Sequence, residues 1–113
     1  MADVSRGEIW YVTLSKGSGR EVRGERPALI VSVDKFNNGP AGLVIIIPIT
    51  SREKGIPLHV EINPPEGGIN KKSFIKCEDI RSISKDRLSN KIGSVSFHTM
   101  TEVEDRLRIL LSL

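Results

Sequence analysis

Apolar and polar positions alternate with a period of two along most of this chain and change to a helical period only near its end. Residues 8–14 read Glu-Ile-Trp-Tyr-Val-Thr-Leu, with Trp10, Val12 and Leu14 on one face, which predicts a strand. A second strand is predicted over 28–33. A third is predicted over 43–47, where Leu-Val-Ile-Ile-Ile is short and continuously apolar, the pattern of a strand buried on both faces. Asn37-Asn38-Gly39-Pro40 stands between them as a strong turn signal. Pro48 has no N–H to give to a ladder, so the third strand should bulge or lose a partner there, leaving Ile49-Thr50-Ser51 at the rim. Leu58, Val60 and Ile62 alternate against His59 and Glu61 in a further strand, and residues 63–68 read as a loop. Residues 73–83 read as one bent strand, 84–88 as a tight turn or a single helical turn, and 91–96 as a short last strand.

At the C-terminus, Thr99-Met100-Thr101-Glu102 fits a capping box, and Val103, Leu107, Leu110 and Leu111 then share one helical face. Several short strands closed by one helix predict a mainly β fold with a C-terminal α-helix, a small β-barrel with helical additions. Its 113 residues fit one domain, 1–113, with one modest core. That terminal helix either closes its own barrel or offers an apolar face to a second copy; the pattern is compatible with both.

Composition narrows the class. With 38% hydrophobic and 27% charged residues the chain should fold. No apolar run approaches the roughly 20 residues of a membrane span, and residues 1–6 lack the apolar centre of a signal peptide. Cys77 is the sole cysteine, which excludes an internal disulfide and a cysteine zinc site and makes a reduced cytoplasm the natural setting. No histidine pair or carboxylate cluster has metal-ligand spacing, so neither metal nor cofactor is expected. The net charge of +3 is mild, and its placement says more. Arg20, Arg23 and Arg26 lie together, Arg52 and Lys54 in a second segment, Lys71, Lys72 and Lys76 in a third. Brought together by the fold, they would make a groove suited to a phosphate backbone.

The sharpest local feature is Gly24-Glu25-Arg26-Pro27 ahead of Ala28-Leu29-Ile30-Val31. Pro27 stiffens its own backbone and pushes Arg26 toward extended conformations. Arg26 thus presents a planar fork of donors at the end of a buried strand, next to a glycine-rich loop. The bland reading is a solvated arginine in a turn. Trp10 and Tyr11 suit stacking on bases, although packing is the commoner use of aromatics in so apolar a strand. His59 is expected to face solvent or a partner copy, His98 to be structural, and Cys77 to be a small buried apolar residue.

Taken in order, Arg6-Gly7-Glu8-Ile9-Trp10, Gly17-Ser18, Glu21, Gly24, Arg26-Pro27, Pro48-Ile49-Thr50-Ser51, Ile80-Arg81-Ser82-Ile83, Asp86-Arg87-Leu88 and Lys91-Ile92-Gly93 resemble the MazF/PemK family of bacterial toxins. The resemblance implies an SH3-like barrel, a homodimer, and a metal-independent endoribonuclease acting on single-stranded RNA. It also implies a cognate antitoxin whose C-terminal segment fills the RNA groove. Carried over by motif, Arg26 and Thr50 are the catalytic pair, Ser51 a neighbouring hydroxyl that assists, and Glu21 an acidic group of the first loop. RNA contacts are expected of Gly17, Ser18, Arg20, Arg23, Arg52, Lys54, Lys76 and Glu78. The chain departs from the family at Glu78-Asp79, where a glutamine often follows the acidic residue, and at Lys76, where some members have arginine.

Metal-free cleavage of RNA uses its own 2′-hydroxyl as nucleophile. The protein must position the chain, stabilise the charge on phosphorus and manage two protons. Arg26 suits charge stabilisation, and Thr50 suits holding a phosphate oxygen. Glu21 reads either as a proton acceptor or as a solvated loop carboxylate. Two further classes stay open at this level: a non-enzymatic toxin of the same fold that poisons DNA gyrase, and an SH3-like binding module without chemistry.

Overall fold

The structure, a computed structural model, describes residues 3–14, Gly19, Glu21 and 24–113. Seven strands and two helices follow in the order β1 (Glu8–Leu14), β2 (Gly24–Ile30), α1 (Asp34–Asn37), β3 (Leu43–Thr50), β4 (His59–Ile62), β5 (Ser73–Lys76), β6 (Arg81–Ser84), β7 (Leu88–Ser94) and α2 (Phe97–Leu111). The strands pair antiparallel in the order β4-β5-β3-β2-β1-β7, with β6 also on β3. The fold is mainly β with a C-terminal helix, as the pattern predicts. The pairing is an open path ending at β4 and β7 rather than a closed ring.

Period-two alternation divides the core into two clusters. Ile9, Leu29, Ile47, Ile49, Val60, Ile62 and Ile75 pack with Met100 and Val103 of α2. Trp10, Val12, Leu14, Ala28, Ile30, Val44, Ile46 and Ile83 pack on the other side of the same strands. β3 contributes to both, which is why its sequence is continuously apolar. Each such isoleucine, fully buried, stabilises the fold by about 1.5–3 kcal/mol relative to exposure. Trp10 is buried and donates its indole N–H to Glu8 Oε1 at 3.0 Å. Glu8 Oε2 also meets Lys91 Nζ at 2.8 Å. Burial pushes the Glu8 carboxyl up, but Lys91, the Ser5 N–H and the indole together hold it below the ordinary glutamate value.

Pro48 does what its missing donor requires. On one side it stays in register with Ala28 of β2. On the other, β6 pairs with β3 only as far as Ile46, and β5 takes over at Ile49 and Thr50. The strand thus changes partner at the proline, and its last two residues turn toward a new neighbour.

Several boundaries differ from the sequence reading. β2 begins at Gly24, so Arg26 lies inside a strand held by β1 and not in a turn ahead of it. Residues 73–83 are not one bent strand: a 3-10 turn over Cys77–Asp79 separates β5 from β6. The helical turn at Lys85–Arg87 is present, and β7 starts directly after it at Leu88. The cap of α2 is Ser96, whose Oγ accepts from the Thr99 N–H at 3.1 Å, so Thr99-Glu102 is not the capping box. Along α2, Met100, Val103 and Leu107 pack on the core, whereas Leu110 and Leu111 are exposed. The helix is longer than the sheet surface beneath it.

Candidate RNA-binding site

β2 and β3 pair as Ala28 with Pro48, Leu29 with Ile47 and Ile30 with Ile46. Continuing that antiparallel register two residues toward the strand ends brings position 26 alongside position 50. This is how residues far apart in sequence come to line one cavity. Arg26 and Thr50 line one cavity of about 390 Å³, together with Ser51 and Ile49 of the same strand end. Glu25 and Pro27 flank Arg26 there, and Tyr11 of β1, in register with Pro27, adds an aromatic side. The remaining wall comes from Gly68, Ile69, Asn70, Lys71 and Ser73, and from Ile92 of β7.

The Thr50 hydroxyl oxygen accepts the Arg52 N–H at 3.2 Å, a short turn that fixes the side chain at the end of β3. Arg52 itself is exposed and does not line this cavity. Of the two aromatics, Trp10 is core and Tyr11, 37% exposed, faces the cavity.

A second cavity of about 240 Å³ is lined by Glu21, Lys54, Ile56, Lys76, Glu78 and Asp79. Glu21, implied as a catalytic group, lines this second cavity. Lys54, Lys76 and Glu78, three of the expected RNA contacts, meet in this second cavity as well. The described residues thus divide the expected site between two depressions. Gly17, Ser18, Arg20 and Arg23 lie outside the described residues.

His59 departs from the expectation of a solvent-facing side chain. It is buried, and its Nε2 lies 2.8 Å from Glu78 Oε2. Its Nδ1 and the Glu78 Oε1 are both buried without a hydrogen-bond partner. Asp79 meets Arg81 at 2.9 Å, and Lys76 is itself buried. The His98 side chain is exposed and lies 3.1 Å from Glu102 on the surface of α2. Cys77 is buried as expected, and burial pushes its thiol up to about 12, so it is unreactive near neutrality. Among the described residues no group of three or more His, Cys, Asp or Glu side chains is placed to hold a metal ion. No helix among them is long and apolar enough to cross a membrane.

Residues 5–111 match the family described as PemK-like, MazF-like toxin of type II toxin-antitoxin system. The chain belongs to this family. It is 35% identical over 111 residues to a Bacillus subtilis (strain 168) protein named endoribonuclease EndoA, covering 97% of this chain and 96% of that one. It is 34% identical over 113 residues to endoribonuclease MazF9 of Mycobacterium tuberculosis, covering 96% of each. A crystal structure of MazF from Deinococcus radiodurans superposes over all of both chains with a TM-score of 0.87 at 26% identity.

The sequence reading missed the wall formed by residues 68–73. Asn70 and Lys71 carried no motif, and only their lysine content hinted at a phosphate. Tyr11 was legible as an alternating strand residue, but nothing in the alternation says that its outward face borders a cavity.

Proposed function

We propose that this toxin is a metal-independent endoribonuclease that cleaves single-stranded RNA, messenger RNA foremost, and so inhibits translation and growth. The observation that carries the reading is the shared cavity of Arg26 and Thr50. Two of the three similar proteins named above, those of Bacillus subtilis and Mycobacterium tuberculosis, are endoribonucleases by name, which supports the same activity here.

In this reading the RNA 2′-hydroxyl oxygen bonds to the adjacent phosphorus while the bond from phosphorus to the 5′-oxygen breaks. The products are a 2′,3′-cyclic phosphate and a free 5′-hydroxyl. Arg26 offers two parallel N–H donors and a permanent charge to the phosphorane oxygens. Thr50 donates its hydroxyl to one of them, and Ser51 assists from the next position. One proton leaves the 2′-hydroxyl and one is delivered to the 5′-oxygen. Two carboxylates compete for the first transfer: Glu21, which the family motif implies, and Glu25, which lines this cavity. Comparing Glu21→Gln with Glu25→Gln separates them, since loss of the base removes the acid limb of the pH–rate profile.

We further infer that residues 1–113 act as one toxin domain in the cytoplasm, as a homodimer, held inactive by an antitoxin whose C-terminal segment enters the RNA groove. The family description, a toxin of a toxin-antitoxin system, supports the antitoxin. Exposed Ile109, Leu111 and Leu113 at the end of α2 support a second copy.

The test is incubation of a long mixed-sequence RNA with purified protein in EDTA, repeated with Arg26→Ala and Thr50→Ala. Cleavage that survives EDTA and fails in both variants supports the reading. Binding without cleavage by the unaltered protein points instead to a binding module. Altered gyrase action on supercoiled DNA, with RNA left intact, points to the non-enzymatic toxin.

A further inference from the structure

Residues 63–72 join β4 to β5; 63–68 read as a loop in sequence, yet the structure holds the segment as an arm packed on β7. Their backbone lies directly on β7 with no side chain between. A Cβ on Gly68, at φ +78°, would stand 2.3 Å from the Ile92 carbonyl oxygen, and one on Gly93 would stand 2.6 Å from the Gly67 carbonyl carbon. Only glycine permits that approach. Glu66 ties the same arm to the start of α2: its Oε2 accepts the Ser96 N–H at 3.0 Å, the Ser96 hydroxyl at 3.2 Å and the Thr99 hydroxyl at 2.5 Å. At the far end the buried Ser73 donates its hydroxyl to the Lys71 carbonyl at 2.9 Å.

The arm carries two adjacent lysines with opposite fates. Lys72 is engaged, 3.4 Å from Glu53, 3.7 Å from Glu61 and over the Phe74 ring. Lys71 lines the Arg26 cavity, and no carboxylate of the described residues lies within ion-pair distance of its ammonium. A cation whose backbone is anchored on a cavity wall, sharing that cavity with an arginine and without a carboxylate partner among the described residues, is a receptor for an anion. The cavity, about 390 Å³, is in the size range that takes whole small-molecule ligands, so it has room for more than the reacting phosphate.

We propose that Lys71 is a phosphate-binding residue of this site, holding a phosphate next to the scissile one so that the RNA strand runs between the β2–β3 end and the arm. This rests on the reading that the cavity takes RNA. Lys71 adds affinity and register and takes no part in bond cleavage.

The experiment measures binding of a random-sequence 2′-O-methyl oligoribonucleotide, which cannot be cleaved, across a range of salt concentrations. The unaltered protein is compared with Lys71→Ala, Lys71→Arg and Lys72→Ala. Cleavage of a long transcript by each is measured in parallel, and thermal melts check that all are folded. Lys71→Ala is expected to bind roughly tenfold more weakly, the loss of one charged hydrogen bond. Its log–log salt slope is expected to fall by about 0.7, the release of one counterion from a single strand. Its KM for cleavage should rise with kcat nearly unchanged, Lys71→Arg should restore both, and Lys72→Ala should behave as the unaltered protein. An unchanged slope and affinity in Lys71→Ala, or an equal loss in Lys72→Ala, overturns the assignment while leaving the ribonuclease reading intact. Binding with the expected Lys71 effect but no cleavage overturns the ribonuclease reading and keeps the assignment. An unaltered protein that binds no oligoribonucleotide at any salt overturns both.

Discussion

The two cavities draw on the same residue types and treat their charges in opposite ways. The first sets Arg26 and Lys71 against one lining carboxylate, Glu25. The second sets Lys54 and Lys76 against three, Glu21, Glu78 and Asp79, with Glu78 bound to a buried histidine and Asp79 to Arg81. The lining of the first cavity carries a net positive charge and that of the second a net negative one. A count of lysines and arginines along the chain treats them alike; what separates them is how many carboxylates line the same cavity.

The comparison can be broken most directly by paired substitutions. Arg26→Ala is expected to lower the cleavage rate by on the order of 100- to 1,000-fold, the usual cost of a lost charge-stabilising contact, with the melting temperature nearly unchanged. Lys54→Ala in the second cavity should stay within a few-fold in single-turnover cleavage, since its acid-rich surroundings leave less positive charge for phosphate. Equal losses in the two variants would remove the distinction between the cavities.

His59→Ala probes the second cavity from beneath. It leaves the Glu78 carboxylate without its 2.8 Å partner and is expected to cost about 3 kcal/mol in denaturant unfolding. The folded fraction should keep its kcat. A loss of kcat without a loss of stability would mean that the pair works in the reaction rather than in the fold.

Gly68→Ala tests whether the first cavity depends on its rigid wall. The added Cβ meets the Ile92 carbonyl oxygen at 2.3 Å, so arm and β7 must separate. Strain of this kind costs about 1–3 kcal/mol, and RNA affinity should fall with the melting temperature. Unchanged affinity would show that the arm's placement is irrelevant to binding.

The smallest effect expected is in the pH dependence. Burial pushes the Glu66 carboxyl up, but bonds from Thr99 and Ser96 hold it below the ordinary glutamate value. Glu8 is lowered in the same way. A carboxyl with a depressed folded value binds fewer protons folded than unfolded. Its contribution is therefore complete above the ordinary glutamate value and is lost as pH falls through the folded one. Glu66→Gln should flatten the acid side of a plot of stability against pH and cost about 1 kcal/mol at neutral pH. An acid limb identical to that of the unaltered protein would count against the Glu66 clamp.

Much of the fold was legible because alternation is a local property. Trp10, Val12 and Leu14 share a face whatever lies beyond them, and Val44 to Ile47 must be covered on both sides because every position is apolar. Pro48 announced a change of partner, since a missing N–H cannot be paired anywhere. The misreadings fall where tertiary contact competes with local signal. Thr99 and Glu102 have the right types for a cap, but Ser96 sits where the chain leaves β7, with Glu66 there to receive it. His59 has the period of an outward residue, yet the 3-10 turn after β5 brings Glu78 over it.

From the chain alone came the strands, the terminal helix, the family motifs and the two residues expected to do chemistry, each readable from neighbours a few positions away. The placement of Arg26 and Thr50 on one cavity required the β2–β3 register. The division of the basic residues between two cavities required the packed fold that lines each one. The anchoring of the arm that carries Lys71 required Gly67 and Gly68 to close on Gly93 and Ile92, and Glu66 to close on the start of α2. Those relations link positions tens of residues apart, and only the packed structure brings them within the few ångströms over which charge and hydrogen bonding act.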